Sequence, residues 1–270
     1  MAHPPAAKGP PGKGLKKTKE GIDMTTSKTL WMIAVAGVAV ACLVGSANAG
    51  LMYDLRAVGG TNVTVLDSHT VNVADVGAVV NLQLWATVTG TDTLANDGFL
   101  QGGGSILGSA AGKLKGDMSI GTNVSPFTNT VGAQPGQTAD LNGDGYLDLG
   151  STNTSTSTPY FMAVSDSGLT AVMGSAANPS FLLGTFTYTV KAGGLNDSTT
   201  LTFIPRVKSG SGSTLHKIAV DGATNVLSYT GTNPALTTDG YITLSMVPEP
   251  ATMALLGLGG LGMLLRRRRA

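Results

Sequence analysis

The chain has 270 residues, 42% of them hydrophobic, 5% aromatic and 12% charged, with 38 glycines and a formal net charge of +1. That much apolar surface can bury a core, which argues against a disordered polar chain, and the length suits one β-rich domain or two small ones. Between Gly50 and Val247, seven basic residues stand against 13 aspartates and no glutamate, a balance that argues against a nucleic-acid partner and fits cation binding or plain solubility.

Residues 1–23 hold Pro4, Pro5, Pro10, Pro11 and five lysines, and read as a flexible basic extension. Met24 is an alternative start, leaving a short charged region that ends at Lys28. Residues 30–44 are almost wholly apolar, and Ala47-Asn48-Ala49 follows them. Charge, an apolar stretch and small residues at the −3 and −1 positions form a secretory signal, here 24–49 with one signal helix. A signal peptidase takes small side chains in narrow pockets, so Ala47 and Ala49 place the cleavage after Ala49. A retained anchor and lipidation at Cys42 are the alternatives. Cys42 is the only cysteine, so the cleaved protein has no disulfide, no thiol nucleophile and no cysteine metal site.

From Leu51 onward the pattern has period two. In 79–89, Val80, Leu82, Leu84, Ala86 and Val88 share one face, while Asn81, Gln83, Trp85, Thr87 and Thr89 share the other. In 182–190, Leu182, Phe186, Tyr188 and Val190 lie opposite Thr185, Thr187 and Thr189. Further strands are expected at 51–58, 62–66, 99–107, 160–164, 169–173, 199–207, 215–220, 225–229 and 242–246. Many short Thr- and Val-rich strands between Gly, Asn and Asp turns predict an all-β fold, an antiparallel β-sandwich over 50–246. Gly102-Gly103-Gly104-Ser105 reads as a turn or bulge rather than a phosphate cradle. Two stretches, Val73-Ala74-Asp75-Val76-Gly77 before 79–89 and Leu183 to Gly193, give the layout a loose resemblance to cohesin-like and carbohydrate-binding sandwiches, so a jelly-roll or cohesin-like arrangement is implied. No binding residue carries over from that resemblance.

Asp140-Leu141-Asn142-Gly143-Asp144-Gly145-Tyr146-Leu147-Asp148 matches the calcium-loop spacing D-x-[DN]-x-D-G. Asp140, Asn142 and Asp144 would point alternate oxygens inward, Tyr146 would offer its carbonyl, and Asp148 would stand at position 9. The stretch resembles loops of dockerins and other extracellular calcium repeats. Ser151 stands where an EF-hand has a bidentate Glu, so any calcium site here is weak. The alternative is an Asx-rich turn between strands.

Little points to catalysis, and the expectation is a protein that is not an enzyme. His69 and His216 lack metal spacing, and no G-x-S-x-G elbow or P-loop is present. Asp92, Asp97, Asp166 and Asp239 lie in turn-like contexts and are expected in solvent. Trp85 either stacks on a sugar ring or belongs to the core.

The chain ends Val247-Pro248-Glu249-Pro250, then 15 mostly apolar residues at 251–265, then Arg266, Arg267, Arg268, Arg269 and Ala270. As a helix the apolar piece spans roughly 22 Å at 1.5 Å per residue, short of a bilayer core of about 30 Å. Gly257, Gly259, Gly260 and Gly262 weaken it further. The arginines would hold the end in the cytoplasm by the positive-inside rule. Each proline biases its predecessor toward extended backbone, the form a protease threads. This tripartite tail, 247–270, resembles the PEP-CTERM sorting domain. The resemblance implies export, transient membrane insertion of a short helix and cleavage by an exosortase near the Pro-Glu-Pro motif. It also implies a Gram-negative-type bacterium that makes exopolysaccharide. The expected function is a non-enzymatic cell-surface or exopolysaccharide-matrix protein, passing through an inner-membrane intermediate. A carbohydrate-binding module is the alternative.

Overall fold

The computed structural model describes residues 49–128, 138–150, 161–165, 170–206, 216–222, 224–230, 235–248 and 258. Ala47, Glu249, Pro250 and Arg266 to Arg269 lie outside these, as does the expected signal helix. The chain divides into two units, Met1–Ser46 and Ala47–Ala270, and only the second contains described residues. Of the expected terminal helix only Leu258 is described, in helical conformation. Among the described residues no helix is long and apolar enough to cross a membrane.

The body is built of strands. In chain order they are β1 (Gly50–Thr61), β2 (Val63–Asp67), β3 (Thr70–Val73), β4 (Val79–Thr89), β5 (Gly98–Gly108), β6 (Lys115–Met118), β7 (Thr122–Asn123), β8 (Phe127–Thr128) and β9 (Thr138–Ala139). Then follow β10 (Asp148–Leu149), β11 (Phe161–Ser165), β12 (Val172–Met173), β13 (Ser180–Ala192), β14 (Ser198–Pro205), β15 (His216–Ala219), β16 (Val226–Tyr229), β17 (Leu236–Thr238) and β18 (Tyr241–Met246). Sheet one has the order β17-β1-β4-β13-β6, with β7 also on β13. Sheet two has the order β16-β15-β5-β14-β18-β3-β2, and β5 additionally pairs β10, β11 and β12. One hydrophobic core, with residues from both sheets, lies between them.

β4 has the expected bounds and alternation. Val80, Leu82, Leu84, Ala86 and Val88 are all at most 1% exposed, because side chains of a strand point to opposite faces in turn. β1 presents Leu51, Tyr53 and Leu55 to the same core. Pairing is antiparallel except between β1 and β17 and between β3 and β18. Both exceptions arise where the chain changes sheets, after β1 and after β17. Asn62, at φ 57°, makes the first crossing; Asn is among the few non-glycine residues that adopt this conformation readily. The two ends of the body therefore run side by side.

Two expectations need correction. Leu182 does not share the face of Phe186, Tyr188 and Val190. A bulge in β13 between Leu182 and Gly184 resets the register against β4, so Phe181 and Leu183 point inward and Leu182 outward. An added residue in one strand reverses the alternation on either side of it. Gly184 sits under Phe161, and a Cβ there would overlap that ring. The Gly102–Gly104 run is neither turn nor bulge. It is the middle of β5, where a Cβ on Gly102 would overlap the Tyr53 hydroxyl and one on Gly103 the Phe161 carbonyl. The glycines let the partners of β5 and the inward side chains of β1 approach its backbone.

Candidate functional site

The residues beside the expected signal cleavage and at the start of the sorting segment abut the folded body. Ala49 packs on the core and its carbonyl accepts the Tyr229 hydroxyl at 3.1 Å. Gly50, the next residue, already pairs with Thr89 in sheet one. At the other end Met246 is the last buried residue among those described, 6% exposed. Val247 donates its N–H to the Val73 carbonyl at 3.0 Å, and Pro248 is half-buried. Val247 and Pro248, which open the Val-Pro-Glu-Pro segment, thus follow directly on β18.

The loop between β9 and β10 folds as a ladder of Asx turns. Asp140 Oδ1 accepts the N–H groups of Gly143 (2.7 Å) and Asp144 (3.1 Å), and its Oδ2 accepts that of Gly145 (2.9 Å). These backbone donors, Gly145 first, hold the Asp140 carboxyl below the usual carboxylate range. Asn142 Oδ1 accepts from Asp144 N–H at 3.0 Å, and Asp144 Oδ1 from Tyr146 N–H at 3.0 Å. Gly143 and Gly145, at φ 77° and 86°, make the turns. This is the winding a calcium loop needs, but the charges are already engaged. Lys115 Nζ lies 2.7 Å from Asp144 Oδ2 and also donates to the carbonyls of Ser109 and Ala110. Asp148 is buried and accepts from Gly108 N–H (2.7 Å) and Leu141 N–H (3.1 Å). Burial raises its carboxyl pKa. Among the described residues no three His, Cys, Asp or Glu side chains converge on a point that could hold a metal.

Trp85 lies on the outer face of sheet one, half-buried, opposite Asp54 of β1. Its Nε1 donates to Gln83 Oε1 at 3.1 Å, and the Arg56 guanidinium sits 5.2 Å above its ring. A cation thus stands against the ring, and the expectation that Trp85 belongs to the core is corrected, because alternation along β4 turns Leu84 and Ala86 inward and Trp85 outward. Arg56 also pairs with the buried Asp54 (2.5 Å), whose other oxygen meets His69 Nε2 at 2.8 Å. His69 stacks on Tyr241. This network pins the β2–β3 turn to sheet one.

Beside Trp85 the same face holds an open groove of about 290 Å³, also missed in the sequence. Asn81 and Gln83 of β4, paired with Thr187 and Thr185 of β13, form its floor. Val58 walls one side and Ser119, Ile120 and Thr122 line it too. Among the described residues no charged side chain lines it.

Of the aspartates expected in solvent, Asp92 and Asp239 are exposed and Asp166 lies outside the described residues. Asp97 is the exception: it is fully buried at the start of β5.

Residues 247–269 match the PEP-CTERM protein-sorting motif. No curated protein sequence matches the chain. Among solved structures, the seventh ScaB type I cohesin from Pseudobacteroides cellulosolvens is similar over 74% of this chain and 93% of its own, at 8% identity and a TM-score of 0.37. The third ScaC cohesin from Acetivibrio cellulolyticus, in complex with a ScaB dockerin, covers 73% and 99% at 12% identity and 0.32. A type I cohesin–dockerin complex from Clostridium thermocellum covers 72% and 99% at 9% identity and 0.31. Similarity this low transfers no ligand and no activity.

Proposed function

We propose that this chain is a non-enzymatic protein of the cell surface or exopolysaccharide matrix of a Gram-negative-type bacterium. The observation that carries the reading is the PEP-CTERM motif at 247–269, the mark of an exported protein processed by an exosortase. In this reading the short apolar helix halts in the inner membrane, the arginines hold its end in the cytoplasm, and the exosortase frees the body. Support comes from the body's acidic, cysteine-free composition and from Val247 and Pro248 following directly on β18. A Glu249→Ala chain expressed in an exosortase-bearing host tests it. Release of the body should fall sharply and a membrane-bound precursor accumulate; undiminished release contradicts the reading.

The uncharged groove on sheet one favours a second reading, a carbohydrate-binding module. Amides and hydroxyls at Asn81, Gln83, Thr185 and Thr187 suit sugar hydroxyls, and the Val58 and Ile120 side chains suit the C–H faces of a ring. Binding of neutral oligosaccharides that fails in Asn81→Ala with Gln83→Ala supports it. Calcium in the loop of Asp140, Asn142, Asp144, Tyr146 and Asp148 is a separate proposal. It requires Asp144 to leave Lys115.

A further inference from the structure

Among the described residues no cationic side chain pairs with the buried Asp97. Its Oδ1 accepts one hydrogen bond, from Asp221 N–H at 3.1 Å. Its Oδ2 is buried and meets no partner among the described residues. The main chain holds it there: its carbonyl accepts Gly174 N–H at 2.8 Å. Gly90 lies against the carboxylate, where a Cβ would overlap it.

The preceding residue repeats the feature. Asn96 Oδ1 is also buried without a partner, while its Nδ2 donates to Asp92 Oδ2 at 3.3 Å and its carbonyl accepts Gly222 N–H at 2.8 Å. Asp221, at φ 51°, directs its carboxylate onto the backbone N–H and hydroxyl of Thr91. Three carboxylates and one amide oxygen are therefore gathered where the crossing from β4 to β5 meets the turn between β15 and β16. No lysine, arginine or histidine pairs with any of the three among the described residues.

A buried carboxylate is stable only when paired, bonded to a metal or protonated. A cation would offer a partner to Oδ2 and to Asn96 Oδ1, both buried without one, and would offset the surrounding charge. The available donors are carboxylate and amide oxygens, without nitrogen or sulfur, which selects a hard ion that completes its shell with carbonyls and water. Such a shell does not need three converging carboxylates.

We propose that Asp97 and Asn96 ligate a calcium ion, with Asp92 and Asp221 supplying flanking negative charge, and that this ion clamps the crossing between the sheets to the β15–β16 turn. The site is separate from the loop at 140–148, and it does not depend on how the chain is sorted.

The test is calcium titration calorimetry and thermal unfolding of the full chain in detergent after chelator treatment. Calcium should bind with a dissociation constant of about 1 mM or tighter, in the range of extracellular modules, and raise the unfolding temperature. Asp97→Asn should weaken binding at least about tenfold, a factor worth 1.4 kcal/mol, and remove the thermal shift. Asp140→Asn should leave both in place. If Asp97→Asn does not fold, Asn96→Ala takes its place with the same expectation. Absence of binding and of a thermal shift at about 10 mM calcium, well above that range, overturns the proposal. So does a shift lost in Asp140→Asn and kept in Asp97→Asn.

Discussion

The Tyr53 hydroxyl lies 2.7 Å from His216 Nδ1 and joins sheet one to sheet two inside the core. Both side chains are fully buried. His216 Nε2 faces the Arg206 carbonyl at 3.0 Å. A carbonyl only accepts, so Nε2 carries the proton and Nδ1 accepts from tyrosine. The imidazole is neutral, and burial lowers its pKa from 6.5 to about 4.

That shift has a defined sign. The unfolded chain takes up a proton at His216 near pH 6.5 and the folded chain only near 4, so the unfolded state binds more protons between them. The contribution is fully present above pH 6.5 and is lost as the pH falls toward and through 4. Its size is on the order of 3 kcal/mol. Urea unfolding at pH 7 and pH 4.5 should show the loss, and His216→Gln should flatten it. Tyr53→Phe strands Nδ1 and should cost about 1–3 kcal/mol at pH 7.

Gly102→Ala should destabilise the protein by about 1–3 kcal/mol, because the new methyl overlaps the Tyr53 hydroxyl. Gly108→Ala, in the same strand, meets only atoms at 3.7 Å or beyond. It should cost less than about 1 kcal/mol. Equal losses in chemical denaturation would contradict the packing described for β5.

Lys115 sets the charge balance of the 140–148 loop through its 2.7 Å contact with Asp144. Lys115→Met frees that carboxylate and should increase calcium affinity at the loop at least about threefold, since neighbouring cations oppose a second one. Calorimetry on an Asp97→Asn background reads this loop apart from the Asp97 site. Unchanged or weaker binding would contradict the role given to Lys115.

Much of sheet one was legible because alternation is a local signal. β4 could be bounded to the residue, since its inward side chains are all apolar and its outward ones mostly polar. The β13 bulge was not legible, because Leu182 and Leu183 are equally apolar and only pairing with β4 decides which turns inward. β3, β6 and β17 are too short to show a period; Lys115-Gly116-Asp117-Met118 is a strand through its pairing with β13. The sorting segment was plain because its parts are contiguous. Asp97 misled for the opposite reason. Its neighbours Asn96 and Gly98 are turn residues, and what packs on it includes Gly174 and Asp221, both distant in the chain.

The intact mass of the form released from an exosortase-bearing host tests the central claim most directly. The account predicts a chain that begins at Gly50 and ends in the region of Pro248 to Pro250, without the apolar helix. A released form that still carries Arg266 to Arg269 would contradict it.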